Sequence, residues 1–165
     1  MELDGATEVA IEFHSLSKTF NMTGWRLGWA AGNRELVGAL SRVKSFVDTG
    51  AFLGVQAAGV AALESWADWV PGNVAAFQAR RDRAVAELGD AGYDVTTPRA
   101  TMYLWIPVPG EMPSRDFARR ALDREGVIVL PGAALGEGGE GFFRIALTVP
   151  EERLAEAARR LGRLV

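Results

Sequence analysis

The sequence predicts an α/β chain: the end of a mainly parallel sheet with its helices over residues 1–75, followed by a small α+β lobe over 76–165. Three observations predict it. Near-continuous apolar runs at Val9–Phe13 and Leu27–Ala31 have the character of strands covered on both faces, as in a parallel sheet. Apolar residues then recur at helical spacing over a long middle stretch. From Tyr93 the texture changes to short strands and turns interleaved with helices.

The elements follow in order. Val9, Ile11 and Phe13 alternate, with Ala10 also apolar, and form the first strand. Leu27–Ala31 is the second, ending at Gly32-Asn33, where Asn33 is placed to cap a helix. Leu36, Val37, Leu40, Val43 and Val47 line that helix, and Thr49-Gly50 breaks it. Ala51–Leu63, interrupted by Gln56, reads as a buried helix, short of the ~20 residues a membrane span needs. Val70-Pro71-Gly72-Asn73 marks a break or kink. Val74, Phe77, Val85 and Leu88 share one face of a long helix, with Arg80, Arg81, Asp82 and Arg83 on its solvated side and Gly89–Gly92 at its end. The domain boundary falls within this helix, between Val70 and Gly92.

In the second lobe, Met102–Ile106 is a strand rich in aromatic and branched residues, closed by Pro107, Pro109 and Gly110. Ser114 is placed to cap a helix carrying Phe117, Ala118, Ala121 and Leu122. Val127–Leu130 is a short strand stopped by Pro131-Gly132. Gly136–Gly141 lacks the Lys and Ser/Thr of a phosphate loop and reads as a turn. Phe142–Leu147 is the last strand. Thr148 and Glu151 fit a capping box before a final helix lined by Leu154, Ala158, Leu161 and Val165.

Composition narrows the function. The 165 residues are 48% hydrophobic and 24% charged, enough for one core or one core plus a small lobe. A net charge of -3 without a basic stripe gives no electrostatic support to nucleic-acid binding, and no membrane partner is expected. With no cysteine, disulfides and thiolate metal sites are excluded, which favours a cytoplasmic location; the single histidine, His14, leaves no multi-histidine metal site. The opening, with Glu2 and Asp4, lacks the basic run of a secretory signal.

The chemistry concentrates between the first two strands. Ser15, Ser17, Lys18 and Arg26 lie on the connecting loop. Hydroxyls and a guanidinium suit phosphate oxygens, and an amine that loses its proton can attack a carbonyl. The same residues also fit a surface loop with two ordinary cations, the serines making turn hydrogen bonds. Arg144 sits mid-strand in Phe142-Phe143-Arg144-Ile145-Ala146-Leu147, where a charge is costly unless paired, by a structural salt bridge or by a ligand. His14 reads as a packing or hydrogen-bonding residue, Asn21 as a loop-fixing one, and Trp25, Trp29, Tyr103 and Trp105 as core.

The stretch Ser15-Leu16-Ser17-Lys18-Thr19-Phe20-Asn21-Met22-Thr23-Gly24-Trp25-Arg26-Leu27-Gly28 resembles the lysine segment of class I/II, fold-type I, pyridoxal-phosphate-dependent aminotransferases, in the subgroup of aspartate, alanine and LL-diaminopimelate aminotransferases. Looser similarity runs through Tyr103-Leu104-Trp105, Val129-Leu130-Pro131-Gly132 and Phe143–Leu147. The resemblance implies the end of the large cofactor domain followed by the small C-terminal domain. It implies that Lys18 forms the Schiff base with pyridoxal 5'-phosphate and later moves the substrate α-proton. It gives Ser15, Ser17 and Arg26 to the cofactor phosphate and Arg144 to the substrate α-carboxylate. The implied reaction moves an amino group from an amino acid to a 2-oxo acid in a homodimer.

Residues that hold the cofactor ring in the family precede the lysine segment by more sequence than the eight residues before Val9 provide. The expectation is therefore a C-terminal portion, either a fragment or a late start, that binds the cofactor weakly on its own. A non-catalytic fragment, or a lyase or synthase on the same fold, is the alternative.

Overall fold

The computed structural model describes residues 1–165. The chain divides into two compact units, Met1–Asn73 and Val74–Val165.

In the first unit, α1 (Ala6–Val9) leads into β1 (Ile11–Ser15), which pairs antiparallel with β2 (Gly28–Gly32), Ser15 facing Gly28 and Ile11 facing Gly32. The expected parallel arrangement does not form in this chain: both its sheets, β1-β2 and a three-stranded one in the second unit, are antiparallel throughout. The connection explains it. Residues 16–27 hold only the four-residue α2 (Leu16–Thr19) and a 3-10 turn at Thr23–Trp25. Without a crossover helix the chain turns straight back, and an antiparallel pair results. Gly28 is required at the turn's end, because a Cβ there would collide with the His14 carbonyl oxygen.

α3 (Arg34–Val47) begins where Asn33 caps it: Asn33 Oδ1 accepts from the backbone N–H groups of Glu35 at 2.8 Å and Leu36 at 3.0 Å. α4 (Leu53–Glu64) forms in the expected apolar stretch but is not buried within this unit; Phe52, Leu53, Val60 and Leu63 are exposed, and Gly59 alone is covered. The unit's core is small, built from Leu16, Phe20, Met22 and Val70 with Leu27, Ala58 and Ala62 against it. Trp25 and Trp29, expected in the core, lie outside it and are 50% and 38% exposed. The double-sided apolar pattern that suggested a covered strand is thus present in residues whose faces stay open here.

α5 (Trp66–Asp90) runs unbroken through Val70–Asn73, where a break or kink was expected. Pro71 stands near the helix start, where its missing N–H forfeits a single i→i−4 bond.

In the second unit, β3 (Tyr103–Pro107), β4 (Leu130–Pro131) and β5 (Phe142–Ala146) form a sheet in the order β3-β5-β4. α6 (Ser114–Glu125) and α7 (Glu151–Leu161) complete it. Side chains alternate across a strand. Leu104, Ile106 and Phe143 therefore share the face that enters the core, fully buried with Ala84, Leu88, Phe117, Ala121, Leu154, Ala158 and Leu161. Tyr93 meets Phe117 and Phe143 edge-on at 6.5 and 5.8 Å, and its hydroxyl donates to the Leu161 carbonyl at 2.9 Å. The opposite face carries Tyr103, Trp105, Phe142 and Arg144.

Several local expectations give way to longer-range contacts. Arg80 and Arg81 are half-buried rather than solvated, donating to the carbonyls of Leu147 at 3.2 Å and Pro98 at 3.1 Å. Only Leu130–Pro131 of the Val127–Leu130 strand pairs. The Thr148–Glu151 capping box is not made; Pro150 precedes α7 with no side-chain cap. Ser114 is not the cap of α6 but its first residue, fully buried. The carboxylate of Glu140 does the capping. Its Oε1 accepts from the Ser114 N–H at 2.6 Å and the Gly141 N–H at 3.0 Å. The Ser114 hydroxyl donates to Oε2 at 3.1 Å and accepts from the Ala133 N–H at 3.2 Å.

The backbone N–H of Ser114, then that of Gly141, hold the Glu140 carboxyl below its ordinary value of 4.5. A carboxyl depressed in the folded state stabilises above its unfolded pKa, and that contribution fades as pH falls through the folded value. The melting temperature is expected to drop as pH is lowered below about 4.5, and Glu140→Gln to flatten that dependence. Thermal melts of both proteins across acidic pH check it.

Candidate active site

The hairpin of the first unit carries four of the candidate residues. Ser15 ends β1 and caps α2, its Oγ accepting from the Ser17 N–H at 3.1 Å. That leaves the Ser15 hydroxyl proton free to donate outward. Ser17 is half-buried, and its carbonyl accepts from the Thr23 hydroxyl at 2.9 Å. The Thr23 carbonyl in turn accepts from an Arg26 Nη at 2.7 Å. This relay ties the two ends of the loop, so that Ser15, Ser17, Lys18 and Arg26 all belong to one short connection.

Two residues in the loop take left-handed backbone without being glycine: Asn21 at φ 54° and Arg26 at φ 53°. Each costs about 1–2 kcal/mol and persists only where its surroundings hold it. Thr23 holds Arg26. Asn21 is held by Asn73, whose Oδ1 accepts from Asn21 Nδ2 at 3.4 Å while its own Nδ2 donates to the Thr19 carbonyl at 3.4 Å. Strain of this kind clusters at functional sites.

Charge separates the chain's two lysines. Lys44 is ion-paired with Asp48 one helical turn away. Lys18 is exposed on α2, with no carboxylate salt-bridged to it. No acidic residue occurs anywhere from Ser15 to Gly28. Two hydroxyls, a guanidinium with donors left over and a free amine on an acid-free loop are a donor set suited to an aldehyde that carries a phosphate. His14 does not join them; its ring stacks on Trp29 at 5.0 Å and lies 3.5 Å from a Glu12 carboxylate oxygen.

Arg144, in the other unit, is a separate candidate. It is half-buried in the middle of β5, opposite Trp105 of β3 and Leu130 of β4. No ion pair of the chain includes it, so the structural salt bridge that would explain its place is not made. Its guanidinium lies over the Tyr103 ring instead, 4.1 Å from the centroid. Tyr103 is half-buried and Trp105 is 38% exposed, so neither is the core residue expected. The contacts of Thr23 and Tyr103 are the ones the sequence did not reveal. Thr23 acts through its hydroxyl and carbonyl on residues three and six positions away. Tyr103 meets Arg144 only through the strand register.

No group of three or more His, Cys, Asp or Glu side chains is placed to hold a metal ion, and no helix is long and apolar enough to cross a membrane.

Residues 1–161 match the family of aminotransferases of class I and II, and the chain belongs to that family. It is 51% identical over 161 residues to an LL-diaminopimelate aminotransferase of Desulforudis audaxviator, covering 98% of this chain and 41% of that protein. It is 48% identical to one of Dehalococcoides mccartyi, covering 98% and 42%. Among solved structures, a probable N-succinyldiaminopimelate aminotransferase from Thermus thermophilus superposes with a TM-score of 0.92 at 39% identity, over 99% of this chain and 44% of that one. An aromatic aminotransferase from Pyrococcus horikoshii gives 0.90 at 30%, over 98% and 44%. The chain thus spans about two-fifths of the length of the relatives it matches.

Proposed function

We propose that this chain is the C-terminal portion of a pyridoxal 5'-phosphate-dependent aminotransferase, residues 1–75 closing the large cofactor domain and 76–165 forming the small domain. The observation that carries the proposal is the free amine of Lys18 on an acid-free loop, while the chain's other lysine is paired with Asp48.

The residues divide the work. Ser15 and Ser17 donate from their hydroxyls, and Arg26 from its guanidinium, to the cofactor phosphate. These donors would hold the cofactor by its phosphate, on the same connection as Lys18. The Lys18 Nζ is the amine that would hold the cofactor aldehyde and, as a free amine, would take the proton from the substrate α-carbon. Arg144 offers two parallel N–H donors to the substrate α-carboxylate, which fixes the α-carbon's orientation. When bound, the cofactor supplies an electron sink for the charge left when the α-proton departs.

The names of the relatives make LL-diaminopimelate the first amino donor to assay, with 2-oxoglutarate as the trial acceptor. The exposed apolar residues of the first unit are consistent with burial in a larger domain and in a homodimer. The test is product analysis on the enzyme that carries this chain. With an amino donor, 2-oxoglutarate and pyridoxal phosphate, glutamate is expected in step with loss of donor. Donor consumed without glutamate would assign a lyase or synthase instead.

A further inference from the structure

We propose that Tyr103 is a positioning residue for Arg144: its ring face holds the guanidinium in place while leaving the N–H donors for a carboxylate ligand. The proposal rests on the reading of Arg144 as a carboxylate-binding residue, and deepens it.

A long cationic side chain loses up to about 2 kcal/mol of rotamer freedom when it is fixed. An enzyme that fixes its arginine beforehand spares the substrate that cost. The usual way to fix an arginine is a carboxylate, but a protein carboxylate would occupy the same planar fork that the substrate needs. An aromatic face avoids the conflict. It attracts the cation through the ring quadrupole, within about 6 Å of the centroid, without offering a competing oxygen.

The sheet register builds this arrangement. Tyr103 pairs with Ala146, so it stands diagonal to Arg144 on the same face, with only a methyl group opposite it. Trp105 is directly opposite Arg144, but its ring is drawn aside onto Phe142, stacked at 5.5 Å and 15°. The guanidinium is left over Tyr103 at 4.1 Å. A half-buried arginine with an aromatic plate and no acidic partner is organised for an anion that the chain itself does not provide.

The test uses the 165-residue chain and follows the side-chain Nε–Hε resonance of Arg144, assigned by its loss in Arg144→Lys. Order is read by nitrogen relaxation and carboxylate binding by titration with 2-oxoglutarate. Tyr103→Phe keeps the ring and is expected to match the parent in both. Tyr103→Leu is expected to lower the Arg144 order parameter to about 0.6 or below and to weaken binding about threefold to tenfold, with the melting temperature held as a control for folding. Unchanged order and affinity in Tyr103→Leu would overturn the proposal, as would equal loss in the Phe and Leu variants, which would assign the effect to the hydroxyl. If 2-oxoglutarate leaves the Arg144 resonance undisturbed, or binds Arg144→Lys as well as the parent (read by calorimetry), the carboxylate reading fails. The relaxation arm still decides whether Tyr103 holds the guanidinium.

Discussion

Lys18→Arg in the enzyme that carries this chain is expected to lower turnover by about 10²–10⁴-fold, the range that a positioned proton-transfer group contributes. The substitution keeps the positive charge and nearly the length. It removes the one property the proposed chemistry needs, because a guanidinium cannot give up its proton in a protein. In this chain Lys18 is exposed and unpaired, so the cofactor-free 165-residue chain should not register the change: surface substitutions of this kind stay within about ±0.5 kcal/mol. The prediction is therefore a split between a nearly lost reaction and an unmoved melt. Steady-state rates of the enzyme and thermal melts of the cofactor-free chain measure the two. Activity within tenfold of the parent would remove Lys18 from the reaction.

The second large effect is on stability. Phe143→Ala should destabilise the second unit by about 3–5 kcal/mol, the usual cost of emptying a buried aromatic site. Phe143 is fully buried on the core face of β5, with its ring 4.6 Å from Phe117 and 5.8 Å from Tyr93. Three helices press on that face, so little can collapse into the space left. Trp105→Ala is the control. It removes a larger ring from the neighbouring strand, but from the open face, and should cost much less. Urea denaturation followed by tryptophan fluorescence for the first variant, and by circular dichroism for both, gives the comparison.

What was legible in the sequence was whatever a short window determines. Asn33 caps α3 because an N-cap acts on the next two or three residues, all visible in the sequence. That Ser15, Ser17, Lys18 and Arg26 share one connection was legible because all four lie within one short window between the two strands. What failed depended on distant partners. Glu140 displaced Ser114 as the cap of α6 from 26 positions away. Arg80 and Arg81 found carbonyls 67 and 17 positions away rather than water. The pairing direction of β1 and β2 failed for a different reason: apolar content reports burial on two faces, not strand direction. The short connection 16–27 set the direction. The aromatic plate under Arg144 required the β3–β5 register, which no periodicity in either strand encodes.

One experiment bears on Lys18 more directly than any substitution. The chain has only two lysines, Lys18 and Lys44, so a borohydride-trapped pyridoxyl group has two side chains and the N-terminus to choose from. The chain is incubated with pyridoxal 5'-phosphate, reduced, digested and mapped by mass spectrometry. The label should fall on the Lys18 peptide in clear excess over Lys44, whose amine Asp48 holds. Labelling of Lys44 or the N-terminus at the expense of Lys18, or no label at all, would refute the assignment.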